Sequence, residues 1–180
     1  MALTSTLRRF EIELCDSDRG LYETLEFRVA QHPSESTKFL VARVMARCLE
    51  HTEGLDFGAG LSSDDEPALR VVDLQGRTRA AIEIGQPSID RLHRASKATE
   101  RVVVYGWKDP AGLYRDALAK GIHRAEKLEV VALPEAFLEQ AGKSLSRAHR
   151  WTLTVSGGQL WLALPEPTLE ATVIRLGPQA

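Results

Sequence analysis

The stretch ALRVVDLQGRTRAAIEIG, residues 68–85, decides the fold. Two apolar runs lie on either side of Gln75-Gly76, a dipeptide with turn chemistry, and together they predict an antiparallel β-hairpin. If Gln75 and Gly76 form a two-residue turn, Leu69 faces Ile82 and Val71 faces Ala80, so the apolar faces agree. The same register sets Ala68 opposite Glu83, Glu66 opposite Gly85 and Asp65 opposite Gln86. Glu66 then shares the face of Glu83; a slip of one residue puts Asp65 there instead.

Glu83 is the anomaly in this stretch, because a carboxylate inside an apolar run needs a partner. One reading makes SSDDEP, residues 62–67, a solvated turn and pairs Glu83 with Arg79 or Arg70 across the strands. The other makes two carboxylates converge at one end of the hairpin, where they repel unless a cation lies between them. Hard oxygen ligands of that kind suit Mg²⁺ or Mn²⁺, and such an ion activates water and stabilises charge on a phosphate.

Outward from the hairpin, Pro87 and Ser88 stop the strand and open a helix to about Thr99, with Ile89, Leu92 and Ser96 toward the core. RVVVYGW (101–107) is a central strand. DPAGLYRDALAKG (109–121) is a helix with Asp109 before Pro110 and Gly121 at its end; KLEVVAL (127–133) is a strand and PEAFLEQAGKSLS (134–146) a helix. Toward the N-terminus, TEGLDFGAGLSSDDEP (52–67) reads as a Gly-rich loop. Before it, HPSESTKFLVARVMARCLEH (32–51) carries a helical stripe of Leu40, Val41, Val44, Met45, Cys48 and Leu49, with Ser34 as its expected N-cap. TLRRFEIELCD and LYETLEFRVA about SDRG make a hairpin at one end, and RWTLTVSGGQLWLAL makes another at the other, followed by LEATVIRL as a last strand. The order predicts an α+β fold: a mixed central β-sheet with flanking helices, decorated by N- and C-terminal β-hairpins.

Bulk properties narrow the class. A chain of 180 residues that is 43% hydrophobic is expected to form a single domain over 1–180. Its formal net charge of -2 gives no general pull toward nucleic acid, so such binding would need local basic patches such as RLHRASKATER (91–101) or GKSLSRAHRW (142–151). Cys15 and Cys48 have no metal spacing, and the five histidines, 32, 51, 93, 123 and 149, show none either, which argues against zinc. The Gly-rich loop lacks the Lys-Ser/Thr of a phosphate-binding loop, and VSGGQ is a hairpin turn rather than a nucleophile elbow. MALTSTLRRFEIELCD has no apolar signal region, and no run is long enough to cross a bilayer, so no membrane association and a cytoplasmic location are expected.

HPSES, GLSSDDEP and IEIGQP, in this order, with MALTSTLRRFEIEL at the start and LWLALP late, resemble the YaeQ family over nearly the whole chain. That family is similar in core fold to the restriction-endonuclease-like PD-(D/E)XK nucleases, whose core is a helix, a three-stranded meander, a helix and a further strand. The reading of residues 34–106 matches this less one strand in the Gly-rich loop. The resemblance implies Asp65 and Glu83 as metal ligands for Mg (or Mn), Glu35 as the acidic residue of the first helix, and Gln86 and Lys97 positioning water or phosphate. Ser34 and Arg94 are implied as substrate contacts. The departure is Gly85, where the nuclease pattern carries Lys. The expectation is therefore a metal-dependent phosphodiesterase acting on nucleic acid, with a catalytically inactive binding or regulatory module as the alternative. A third reading is association through the Trp-bearing C-terminal hairpin.

Overall fold

The structure, a computed structural model, describes residues 4–59 and 66–178. It is an α+β fold with two mixed sheets and four α-helices among the described residues. The chain clusters into two compact units, residues 1–41 with 133–173, and residues 42–132 with 174–180.

In the first unit, β1 (Thr6–Asp16) and β2 (Leu21–Gln31) form the expected N-terminal hairpin. β8 (Ala148–Ser156) and β9 (Gln159–Ala163) form the C-terminal one, turning through Gly157-Gly158. The two are not separate decorations. β8 pairs in parallel with β1, giving one five-stranded sheet in the order β10-β9-β8-β1-β2, with β10 spanning Thr168–Thr172. Alternation along these strands buries Phe10, Ile12, Leu14, Trp151 and Leu153, as period-two patterning requires. Trp151 is thus a core residue. His149 stacks on Phe10 with ring centroids 4.1 Å apart and meets Trp151 edge-on. α4 (Glu135–Lys143) also belongs to this unit.

α1 (Thr37–Leu49) starts later than its sequence implied. Ser36, not Ser34, caps it: the Phe39 N–H donates to Ser36 Oγ at 3.2 Å. Ser34 is occupied by a local bond of 2.6 Å to His32 Nδ1. The expected apolar stripe is buried, and so are Ala42, Arg43 and Ala46 on its other sides.

In the second unit, β3 (Leu55–Phe57), β4 (Leu69–Val72) and β5 (Thr78–Ile84) make an antiparallel meander. β3 lies inside the stretch that reads as a loop; three residues among glycines carry too little pattern to be seen from sequence. α2 (Ile89–Ala98), β6 (Arg101–Gly106), α3 (Pro110–Ala119) and β7 (Glu129–Ala132) follow, with β5, β6 and β7 parallel. β11 (Ile174–Leu176) completes the order β11-β7-β6-β5-β4-β3. LEATVIRL is therefore two strands in two sheets rather than one. Ser88 and Asp109 cap α2 and α3 by accepting the Arg91 and Gly112 N–H groups. Leu92, Val102, Val104, Leu113, Leu128 and Val130 form the core on the α2 and α3 side of the sheet.

The deciding hairpin has the expected register, Leu69 on Ile82 and Val71 on Ala80, through a different turn. A bulge between Val71 and Val72 shifts the pairing to Val72 on Thr78, and residues 73–77 form the connection. Asp73 closes it by accepting the Gln75 and Arg77 N–H groups, and Gly76 takes the left-handed φ of 78°. The bulge absorbs the longer turn, so the apolar faces still agree.

Candidate functional site at the carboxyl end of strand 5

β5 and β6 run parallel, and Glu83 lies opposite Val104, so its side chain is on the face that α2 covers. The connection from β5 to α2 is only residues 85–88, which folds the first turn of α2 back over the strand end. Arg91, in that turn, puts Nε 2.9 Å from Glu83 Oε1. The Glu83 side chain is 6% exposed and that of Arg91 23%. Burial pushes the Glu83 carboxyl above the ordinary glutamate range, and the Arg91 charge and hydrogen bond only partly offset it. Arg91 also donates through Nη2 to the backbone carbonyl of Glu66 at 2.5 Å. One guanidinium thus joins the end of β5 to the chain entering β4.

This answers the question of the buried carboxylate. Its partner comes from the next helix, not from across the strands. Arg79 instead pairs with Glu100 at 2.8 Å, and Arg70 lies 3.7 Å from Glu66. The Glu66 carboxylate is turned away, its Oε2 accepting the Ala59 N–H at 3.1 Å. Asp65 lies outside the described residues. Gln86 is exposed, two residues beyond β5, and Arg94 is exposed on α2. Lys97 is exposed in the last turn of α2, about 9 Å along the axis from Arg91. Ser34 and Glu35 lie in the first unit, where the buried Glu35 carboxylate accepts the His32 N–H at 3.1 Å.

Gly85 has a backbone reason for its identity. Its φ is 84°, which a lysine adopts only with strain, while its N–H donates to the Tyr105 carbonyl at 2.8 Å. Glycine at position 85 is therefore a property of the strand end, and among the described residues Arg91 is the cation that pairs with Glu83. In the sequence Arg91 is one member of a basic run, and what distinguishes it is its place three residues after the Ser88 cap.

A second ionic cluster lies on the opposite face of the same sheet. Glu50, just after α1, accepts from Tyr105 Oη at 2.6 Å and Arg101 Nη1 at 2.7 Å, and pairs with Arg175 at 3.4 Å. Arg101 also forks onto both oxygens of Glu129, at 2.6 and 2.8 Å. Burial opposes the Arg101 charge, but Glu129 and Glu50 outweigh it and hold the guanidinium more firmly protonated. Tyr105 is pushed well above the usual tyrosine range by burial and by the Glu50 charge.

Among the described residues no group of three His, Cys, Asp or Glu side chains is placed to hold a metal. Mg²⁺ ordinarily takes one or two carboxylates with waters, and Glu83 is a hard oxygen donor of that kind. No helix is long and apolar enough to cross a membrane among the described residues.

The fold and site define an α+β protein of two mixed sheets with an ionic centre at the carboxyl end of a parallel strand. Residues 1–173 match the family model described as YaeQ protein, and the chain belongs to the YaeQ family. The crystal structure of the YaeQ protein from Xanthomonas axonopodis pv. citri superposes with a TM-score of 0.90 at 30% identity, covering 98% of this chain and 100% of that one. The Pseudomonas syringae YaeQ structure gives 0.88 at 32% identity, with 97% of each chain covered. The uncharacterized protein YaeQ of Escherichia coli K12 is 25% identical over 96% of both chains.

Proposed function

We propose that this chain is a metal-dependent phosphodiesterase acting on nucleic acid, built on a nuclease-like core. The order α1, β3, β4, β5, α2, β6, with an antiparallel meander followed by a parallel strand, supports that core. The observation that carries the reading is the Arg91 bridge. It holds the Glu83 carboxylate and the main chain of Glu66 on one guanidinium, and Glu66 directly follows Asp65. Asp65 and Glu83 would hold Mg²⁺ or Mn²⁺, which when bound supplies an activated water and stabilises charge on the phosphate. Arg91 replaces the lysine absent at position 85 as the cation beside the Glu83 carboxylate. Gln86 orients water, and Arg94 and Lys97 on α2 take backbone phosphates.

Titration of the chain with Mn²⁺ alone, followed by a panel of DNA and RNA substrates, tests this. Saturable Mn²⁺ binding that is lost in Asp65→Asn and in Glu83→Gln, with cleavage lost in parallel, is the expected result. Absence of binding at millimolar Mn²⁺ would overturn it. The positive φ of Gly85 favours a second reading, a binding module on the same scaffold; metal binding with no cleavage of any substrate would select it.

A further inference from the structure

β2 is an edge strand of unusual construction. It runs 11 residues without Pro or Gly, pairs with β1 in unbroken register from Thr6 on Gln31 to Asp16 on Leu21, and has no strand on its other side among the described residues. Natural edges are normally shortened, bulged or interrupted by Pro to prevent pairing with another chain. None of these devices is present here; the protection that β2 does carry is charge, at the exposed Glu23, Glu26 and Arg28.

The charges on its solvent face are arranged wrongly for β1. Arg28 lies opposite Arg9, and Glu26 lies opposite Glu11, two like-charge pairs side by side. Relief comes from elsewhere: Glu11 pairs sideways with Arg150 on β8 at 3.3 Å, and Arg9 reaches diagonally to Glu26 at 3.3 Å. Arg28 is exposed and has no ion-pair partner among the described residues.

We propose that β2 pairs antiparallel with β2 of a second copy of this chain, about a two-fold axis through Phe27. In that register Glu26 of each copy faces Arg28 of the other, twice by symmetry, so the pattern that is repulsive against β1 becomes complementary. The other face agrees. Leu25 meets Val29 of the second copy and the half-buried Phe27 meets its own mate, extending the row that already stacks Phe27 on Phe10 at 5.5 Å. Thr24 meets Ala30, and Glu23 meets Gln31. Main-chain hydrogen bonds then carry one sheet across both copies, as in strand addition to a sheet edge. A contact confined to two strands lies at the small end of specific interfaces, so weak, reversible association follows. This inference is independent of the proposed catalytic function.

Sedimentation equilibrium of the full chain over a range of concentrations tests it, with circular dichroism to establish that each variant is folded. The wild type is expected to dimerise reversibly. Arg28→Glu and Glu26→Arg should each weaken association by about tenfold or more, since two pairs turn repulsive at once. The double swap E26R/R28E should restore it, because the two-fold register exchanges the two positions. Persistence of a monomer to millimolar concentration would overturn the proposal. So would a dimer that both single reversals leave unchanged, or one that the double swap fails to rescue.

Discussion

The two ionic clusters of the second unit share one sheet and differ in how completely they are closed. Around Glu50, each carboxylate oxygen has its donor, Arg101 is shared between two acids, and the buried Tyr105 hydroxyl is used. Around Glu83 a single cation among the described residues serves a buried carboxylate, and burial raises its pKa despite that cation. A closed network spends its charges on the fold, whereas an incompletely compensated carboxylate retains electrostatic demand for a ligand. The richer cluster is the worse candidate.

The largest expected effect comes from opening the closed cluster. Glu50→Ala takes the acid from Arg175 and from a buried hydroxyl, leaves Arg101 on Glu129 alone, and should cost about 3 kcal/mol, a fall in Tm of roughly 5–10 °C, tempered because Arg101 and Arg175 reach solvent. Urea denaturation measures it, and Mn²⁺ binding in the surviving native protein should be unaffected. Next is Arg91→Met, which removes the Arg91 cation from Glu83 and should cost about 2 kcal/mol. If instead it stabilises the chain, Glu83 has a better partner than Arg91.

Protons can open a third closed site, in the first unit. Both ring nitrogens of His149 are used: Nδ1 donates to the Arg9 carbonyl at 3.0 Å, and Nε2 accepts the Ser146 N–H at 2.8 Å. Burial holds its pKa below the ordinary 6.5. A depressed histidine contributes stability that is fully present above pH 6.5 and is lost as the pH falls toward its folded value, because the unfolded chain takes up the proton first. The slope from this group is at most about 1.4 kcal/mol per pH unit, and it should be absent in His149→Gln when stability is followed by denaturation from pH 7 to 5. The smallest effect is that of Lys97→Ala, expected to change stability by no more than about 0.5 kcal/mol and to leave Mn²⁺ affinity unchanged while weakening binding to nucleic acid at low salt.

The hairpin register was legible because period-two alternation constrains the strands more strongly than turn chemistry does: the turn differs, a bulge compensates, and Leu69 still meets Ile82. α2 and α3 were legible through Ser88, Asp109 and Pro110, whose capping acts within one turn. Ser34 reads as the α1 cap in sequence because its competing partner, His32, is a matter of geometry rather than of type. The parallel pairing of β8 with β1 joins residues about 140 apart, and no local pattern encodes it. Glu83 stood out as anomalous in sequence, yet its partner Arg91 did not, since choosing among basic residues on a helix requires knowing how the preceding loop turns.

Arg175 has a consequence in time as well as in space. It reaches Glu50 across 125 positions, on a strand that pairs with β7 only after the first unit's last strand, β10, has been laid down. During synthesis, Glu50 and Tyr105 must therefore wait, partly compensated by Arg101, until residue 175 leaves the ribosome. The final lock on the second unit arrives last, so a nascent chain stopped before Ile174 presents an open β7 edge to any strand that passes.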